Sequence, residues 1–169
     1  MLQGKMNHKD SMGYNTYVDE TSVQIMSAGK GLYHEEYCVG DEDVNFLQIW
    51  IQPKSQNISP RYQQRNFKKE DRKNKFQTVI SNKEGVAHCW INQNAKIKIG
   101  HSEAGQQVNY NFENINKCVY IFVIKGTISI ENETLNTRDA IGIWDTNLIE
   151  INLSIDSEIL LIETVINQK

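Results

Sequence analysis

The chain has 169 residues, 39% of them hydrophobic, and its 18 Lys and Arg against 21 Asp and Glu leave a formal net charge of -3. That length can bury the core of one ordinary domain or of two small ones, and so even a charge balance excludes a nucleic-acid-coating protein and an acidic disordered chain. Two prolines and the lack of any apolar run near ~18 residues exclude a Pro-rich linker protein and a membrane-spanning helix. The balance is uneven along the chain: residues 1–60 carry a net -4, residues 61–100 a net +7 and residues 101–169 a net -6.

Met1 to Gly13 reads MLQGKMNHKDSMG, without the basic start and apolar stretch of a secretory leader, so a cytoplasmic location is expected. Cys38, Cys89 and Cys118 are odd in number and widely spaced, which predicts reduced thiols rather than a disulfide framework or a metal-binding CxxC pair. Helical periodicity is scarce. Short runs of Ile, Val, Phe, Tyr and Thr separated by Asn, Asp, Gly and Ser predict an all-β sandwich or barrel.

The first predicted strand is Val23–Met26, ending in Ser27-Ala28-Gly29-Lys30-Gly31, where two glycines allow the backbone to turn. The next is Asn45–Ile51, stopped by Pro53; it is apolar on both faces and is expected to be buried on both. Residues 54–84 interrupt the pattern with Pro60 and a basic run of Arg61, Arg65, Lys68, Lys69, Arg72, Lys73 and Lys75. A phosphate-binding patch would need more aromatic interleaving than Tyr62 and Phe67 provide, so a solvated connector is expected and nucleic acid is not. From Phe76 onward strands are predicted at Ala95–Ile99, Val108–Phe112, Cys118–Ile124, Thr127–Ile130, Asp139–Trp144, Leu148–Leu153 and Glu158–Glu163, enough to close a small barrel. Lys125-Gly126 reads as a hairpin turn, and Cys118–Ile124, apolar on alternate residues of both sets, reads as a strand buried on both sides.

Four histidines are available, His8, His34, His88 and His101. His34 and Glu36 stand two apart, so on an extended segment they share a face and can reach one cation while Glu35 points away. His101-Ser102-Glu103 has the same spacing, so spacing alone leaves His34 open between a metal ligand and a polar strand residue. Gly29 and Gly31 lack the third glycine and the helix of a dinucleotide fingerprint.

The segment Gln24-Ile25-Met26-Ser27-Ala28-Gly29-Lys30-Gly31-Leu32-Tyr33-His34-Glu35-Glu36-Tyr37 resembles the Q-x-M-S-A-G-x-G-x-x-H-x-E-[YF] segment of the pirin family. Leu47-Gln48-Ile49-Trp50-Ile51-Gln52-Pro53 and Pro60-Arg61-Tyr62-Gln63-Gln64 follow in order and resemble that family's L-Q-I-W-[IVL]-x-P and P-R-Y-x-Q. Weaker likenesses continue through Val123–Ile130, Asp139–Ile143 and Ser157–Ile162. The resemblance implies two cupin jelly-roll barrels in tandem, the first holding a divalent transition metal, iron foremost, through three His and one Glu. It makes His34 the third imidazole ligand and Glu36 the carboxylate. The first two ligands belong to an H-x-H-x-D-x-E segment that these 169 residues do not contain. His8 matches a family position beyond the turn rather than a ligand position, and His88 and His101 fall in the second barrel, so none is an obvious substitute.

The implied layout is a partial N-terminal cupin over residues 1–60, a basic connector over 61–75 and a complete C-terminal cupin over 76–169, in a chain truncated at its N-terminus. The implied function is that of a relative of metal-dependent quercetin 2,3-dioxygenases, with a flavonol-like substrate, weak or inactive alone because half of the ligand set is missing. The alternatives are a metal-free binding or regulatory protein, self-associating or meeting a partner chain through the incomplete first barrel, and a truncated gene product without activity.

Overall fold

The computed structural model describes residues 1–112 and 117–166. In chain order the strands begin with β1 (Met6–Asp10), β2 (Asn15–Val18), β3 (Ser22–Ser27), β4 (His34–Cys38), β5 (Arg61–Asn66), β6 (Lys75–Ser81) and β7 (Cys89–Trp90). They continue with β8 (Ala95–Ser102), β9 (Gln107–Asn111), β10 (Lys117–Lys125), β11 (Thr127–Ile130), β12 (Glu133–Asn136), β13 (Ala140–Ile143), β14 (Leu148–Leu153) and β15 (Ser157–Val165). The chain forms two compact units, Met1–Lys68 with Asn82–Gln93, and Lys69–Ser81 with the chain from Asn94 onward.

In the first unit β1 lies between β2 and β4 in an antiparallel sheet, and β3 pairs with β5. The β1–β2 turn is closed by Asp10, whose Oδ1 accepts the backbone N–H groups of Met12 and Tyr14 at 2.9 and 3.1 Å. Asp is suited to this position because its short carboxylate reaches the amides two and four residues on. The run expected as a connector from residue 61 instead begins as strand β5, in register with β3 from Ser22↔Asn66 to Ser27↔Arg61. Tyr62 and Phe67 are buried anchors there, and the half-buried Arg61 lays its guanidinium over the Trp90 ring, 4.7 Å from the centroid. A count of charges therefore mistook a strand for a linker. Asn45–Ile51 departs in the opposite direction. Apart from a single bridge between Gln3 and Asn45 it has no ladder partner among the described residues, and Phe46, Ile49 and Trp50 are exposed. Its composition suits a strand, but a strand needs a neighbour to satisfy its N–H and C=O groups.

In the second unit β13, β10, β15, β8 and β6 lie side by side, and β12, β11, β14 and β9 form a second sheet. The core is built from the inward positions of both: Val119, Ile121 and Val123 of β10, Ile128 and Ile130 of β11, Ile149, Ile151 and Leu153 of β14, and Ile159 and Leu161 of β15. Strand β14 shows the underlying period of two without exception, Leu148, Glu150 and Asn152 facing out and Ile149, Ile151 and Leu153 facing in. Each of these buried aliphatic side chains contributes about 1.5–3 kcal/mol. The outer face of β10 is less covered than its composition suggested: Tyr120 is exposed, and Phe122 is half-buried beneath the Arg138 guanidinium.

Lys125-Gly126 is a corner, not a hairpin. Strand β10 pairs with β13 and β15, whereas β11 pairs with β12 and β14, so the chain passes from one sheet to the other at Gly126. Gly126 has φ +104°, and a Cβ there would stand 2.7 Å from the Asp156 carbonyl oxygen, which no other residue tolerates. The turn signal was sound, but glycine serves hairpins and sheet-to-sheet corners alike.

One buried charge pair interrupts this apolar core. The Glu163 carboxylate, 1% exposed, accepts the Tyr110 hydroxyl at 2.6 Å and the Lys117 ammonium. Removing one partner leaves the other charge buried and unpaired. Lys117→Met is expected to lower the unfolding free energy by about 3–5 kcal/mol in urea titrations, and Lys117→Met with Glu163→Gln to recover part of that loss.

Candidate metal centre

The antiparallel register of β1 and β4 opposes His8 to Glu36 and Asp10 to His34. Opposed residues share a sheet face, and so do residues two apart on one strand. Four side chains with ligand-type atoms therefore stand together, while Lys9 and Glu35 turn to the other face and form an ion pair at 3.0 Å. The ligand atoms of His8, His34 and Glu36 all lie within 4.8 Å of one another, the one such group of three among the described residues. The H-x-E spacing thus does place His34 and Glu36 together, and it brings them to His8. At the other site with that spacing, Glu103 pairs with Lys73 at 2.8 Å, and His101 Nδ1 stands 4.0 Å from Glu158. His88 bonds the Lys83 carbonyl at 2.9 Å, away from any ligand group.

His8 is 1% exposed, its ring stacked on Tyr62 with centroids 4.5 Å apart. Its Nε2 is 3.1 Å from Asp10 Oδ2 and its Nδ1 is 3.3 Å from Glu36 Oε1. Burial raises the Asp10 carboxyl, but the His8 hydrogen bond and the Tyr14 and Met12 amides together hold it below the usual carboxylate value. Glu36 is fixed from the other side. Gln24 Nε2 donates to Glu36 Oε1 at 2.6 Å, the Tyr62 hydroxyl stands 3.0 Å from Gln24 Oε1 and 2.9 Å from Gln64 Oε1, and Gln64 Nε2 donates to the Tyr17 carbonyl at 2.7 Å. Burial first, then the charges of Glu36 and Asp10, hold the Tyr62 hydroxyl protonated well above the ordinary tyrosine range. It can therefore serve as a donor.

Reading the sequence by spacing missed His8, Asp10, Gln24, Tyr62 and Gln64. His8-Lys9-Asp10 carried a usable signal, a His and a carboxylate two apart beside a Gly turn. Gln24, Tyr62 and Gln64 lie inside the motifs already quoted, where they hold Glu36 from behind.

An all-β chain with a two-sheet jelly-roll unit and an imidazole–carboxylate cluster on a strand pair defines the class: a cupin protein of metal-binding type. Residues 1–51 match the family model described as pirin, and residues 78–164 match the quercetinase C-terminal cupin domain. The chain belongs to the pirin family. It is 34% identical over 164 residues to a quercetin 2,3-dioxygenase of Escherichia coli, covering 96% of this chain and 69% of that protein. The crystal structure of YhhW from Escherichia coli superposes with a TM-score of 0.90 at 31% identity, over 99% of this chain and 70% of that one. The same bacterial pirin in complex with nickel(II) superposes with a TM-score of 0.84 at 30% identity, over 96% of this chain and 69% of that one. This chain is thus a pirin-like cupin related to the metal-dependent quercetin 2,3-dioxygenases.

The donor set fits a divalent transition metal: two imidazoles and one carboxylate are ligands such ions accept, and the carboxylate is already oriented by Gln24. Tyr62→Phe removes the hydroxyl donor facing two amide oxygens and is expected to cost about 1–3 kcal/mol of stability, read from denaturant unfolding, with a smaller loss for Tyr14→Phe.

Proposed function

We propose that this chain binds a divalent transition metal, iron in its working form, through His34 and Glu36, and oxidises a flavonol-like small molecule in the cytoplasm. The observation that supports this is the convergence of His34 and Glu36 on one sheet face beside a third ligand-type side chain. Such a metal, when bound, supplies Lewis acidity and open positions at which an oxygen-rich substrate and dioxygen can meet. The chain's own residues orient the carboxylate through Gln24, Tyr62 and Gln64, and the partly exposed Glu36, 21% accessible at its side chain, faces solvent from which a ligand arrives. With fewer than the four ligands the family pattern implies, the ion is held weakly and turnover by these 169 residues alone is slow.

A second reading, in which the first unit pairs with another copy or a partner chain, is favoured by the unladdered Phe46–Ile51 and by Trp50 and Tyr33, each 88% exposed. The two readings are separated by equilibrium dialysis of the purified chain against iron(II) under anaerobic conditions, measuring bound metal per chain. The expected result is about one ion per chain, lost in His34→Ala, with oxygen-dependent loss of quercetin absorbance in the loaded wild type alone. Equal metal content in wild type and His34→Ala overturns the metal reading.

A further inference from the structure

The inward faces of the second unit change character along their length. On β15 the period of two runs from Ile159 and Leu161 to Glu163, and on β10 it runs from Val123, Ile121 and Val119 to Lys117. On β8 the same face carries Gly100, Lys98 and Lys96, in register opposite Ile159, Leu161 and Glu163. Lys98 bears this direction out: its Nζ lies 4.8 Å from the centroid of the Tyr110 ring, which belongs to the core. One end of the interior is therefore aliphatic. The other gathers the ammonium groups of Lys96, Lys98 and Lys117 against the carboxylate of Glu163, and that carboxylate is turned to Lys117 and the Tyr110 hydroxyl. Among the described inward residues of these strands, positive charge is in excess at this end.

A cleft of about 470 Å³ reaches this end of the interior along β9, the last strand of its sheet, and the start of β6. Phe76, Lys98 and Tyr110 line its inner wall, and the exposed Gln107, Asn109 and Asn111 line its rim. No Asp or Glu lines it among the described residues. Glu103, which Asn74 contacts at 3.0 Å, is held by Lys73 at 2.8 Å. Gly100 lets Phe76 lie close against the sheet, since a Cβ there would stand 2.9 Å from the ring. Phe76 and Tyr110 then meet edge to face with centroids 5.9 Å apart. We propose that this cleft binds a small aromatic carboxylate, with the anionic group on Lys98, the ring beside Phe76 and polar substituents on the rim amides. Held over the Tyr110 ring, the Lys98 ammonium keeps its charge at the wall, less hydrated and less screened than on an open surface. Ring surface beside that charge favours an aromatic anion over an inorganic one, and side-chain amides both donate to and accept from hydroxyl groups. A concave site with apolar walls and a few convergent polar groups is the usual form of a small-molecule pocket. None of these residues belongs to the β1–β4 cluster, so this site does not rest on the metal reading.

The test is titration calorimetry of 4-hydroxybenzoate into the full chain, kept metal-free with a chelator, at low salt. Saturable binding is expected in the wild type, and its absence overturns the inference. The neutral 4-hydroxybenzyl alcohol and the ringless inorganic phosphate are each expected to bind at least about 10-fold more weakly. Phosphate or the alcohol binding as tightly as 4-hydroxybenzoate overturns the aromatic-carboxylate reading. Lys98→Met is expected to weaken binding by about 10- to 100-fold. Since Lys98 packs on a core ring, Asn109→Asp supplies a second variant at an exposed rim position, where the added negative charge is expected to weaken binding by about 5-fold. If Asn109→Asp, folded by circular dichroism, binds as the wild type does, the ligand is not in this cleft. His34→Ala is expected to bind 4-hydroxybenzoate as the wild type does, and loss of binding there would assign the ligand to the first unit and overturn the proposal.

Discussion

The register of a single strand pair decides whether this chain has a site at all. Side chains on a strand alternate faces, so a one-residue slip of β4 along β1 would turn Glu35 and Tyr37 toward His8 and send His34 and Glu36 to the other side. Two contacts secure the register from outside the ladder. Just past the end of the ladder Ser11 donates its N–H to the Tyr33 carbonyl and accepts the Tyr33 N–H at its hydroxyl, and Lys9 pairs with Glu35 on the opposite face. The exposed ion pair contributes little energy, but it opposes the slipped alignment, in which two like-charged or mismatched groups would meet.

The two units solve their stability problem differently. The second is sealed by an aliphatic core in which most inward positions are Ile, Val or Leu, and its polar exception, Glu163, is answered by Lys117 and Tyr110. The first buries fewer large apolar side chains and relies on a chain of polar contacts running from the Tyr17 carbonyl through Gln64, Tyr62, Gln24, Glu36 and His8 to Asp10. Such a network is rigid when every member is satisfied and weak where one is not. Its longest link is the 3.3 Å contact of His8 Nδ1 with Glu36 Oε1, which is also where the ligand-type atoms of His8, His34 and Glu36 converge.

Much of the second unit was legible in the sequence because strands such as Leu148–Leu153 alternate cleanly, and alternation is a local property. The shared face of His34 and Glu36 was legible for the same reason, the two being two residues apart. His8 was not, since its place in the cluster depends on pairing across 28 residues of chain, and no local pattern reports a register. Arg61–Asn66 and Asn45–Ile51 failed in complementary ways. The first is a strand because Tyr62 and Phe67 anchor it and β3 is there to pair with; the second has strand composition but, among the described residues, no ladder beyond the single bridge of Asn45 to Gln3. Gly126 shows a third limit, since a glycine that permits positive φ does not say whether the chain turns back or changes sheet.

The unladdered segment also bears on how the protein behaves at high concentration. Asn45–Ile51 is seven residues long, uncharged, free of proline and rich in residues that favour extended structure, the composition of a stretch able to stack on copies of itself in cross-β fibrils. Its flanks oppose that. Asp41, Glu42 and Asp43 precede it and Pro53 and Lys54 follow, so in-register stacking would pile like charges on one another and set a residue without an N–H at the end of the stretch. These neighbours act as gatekeepers, and colloidal stability in this region rests on their charge more than on the fold.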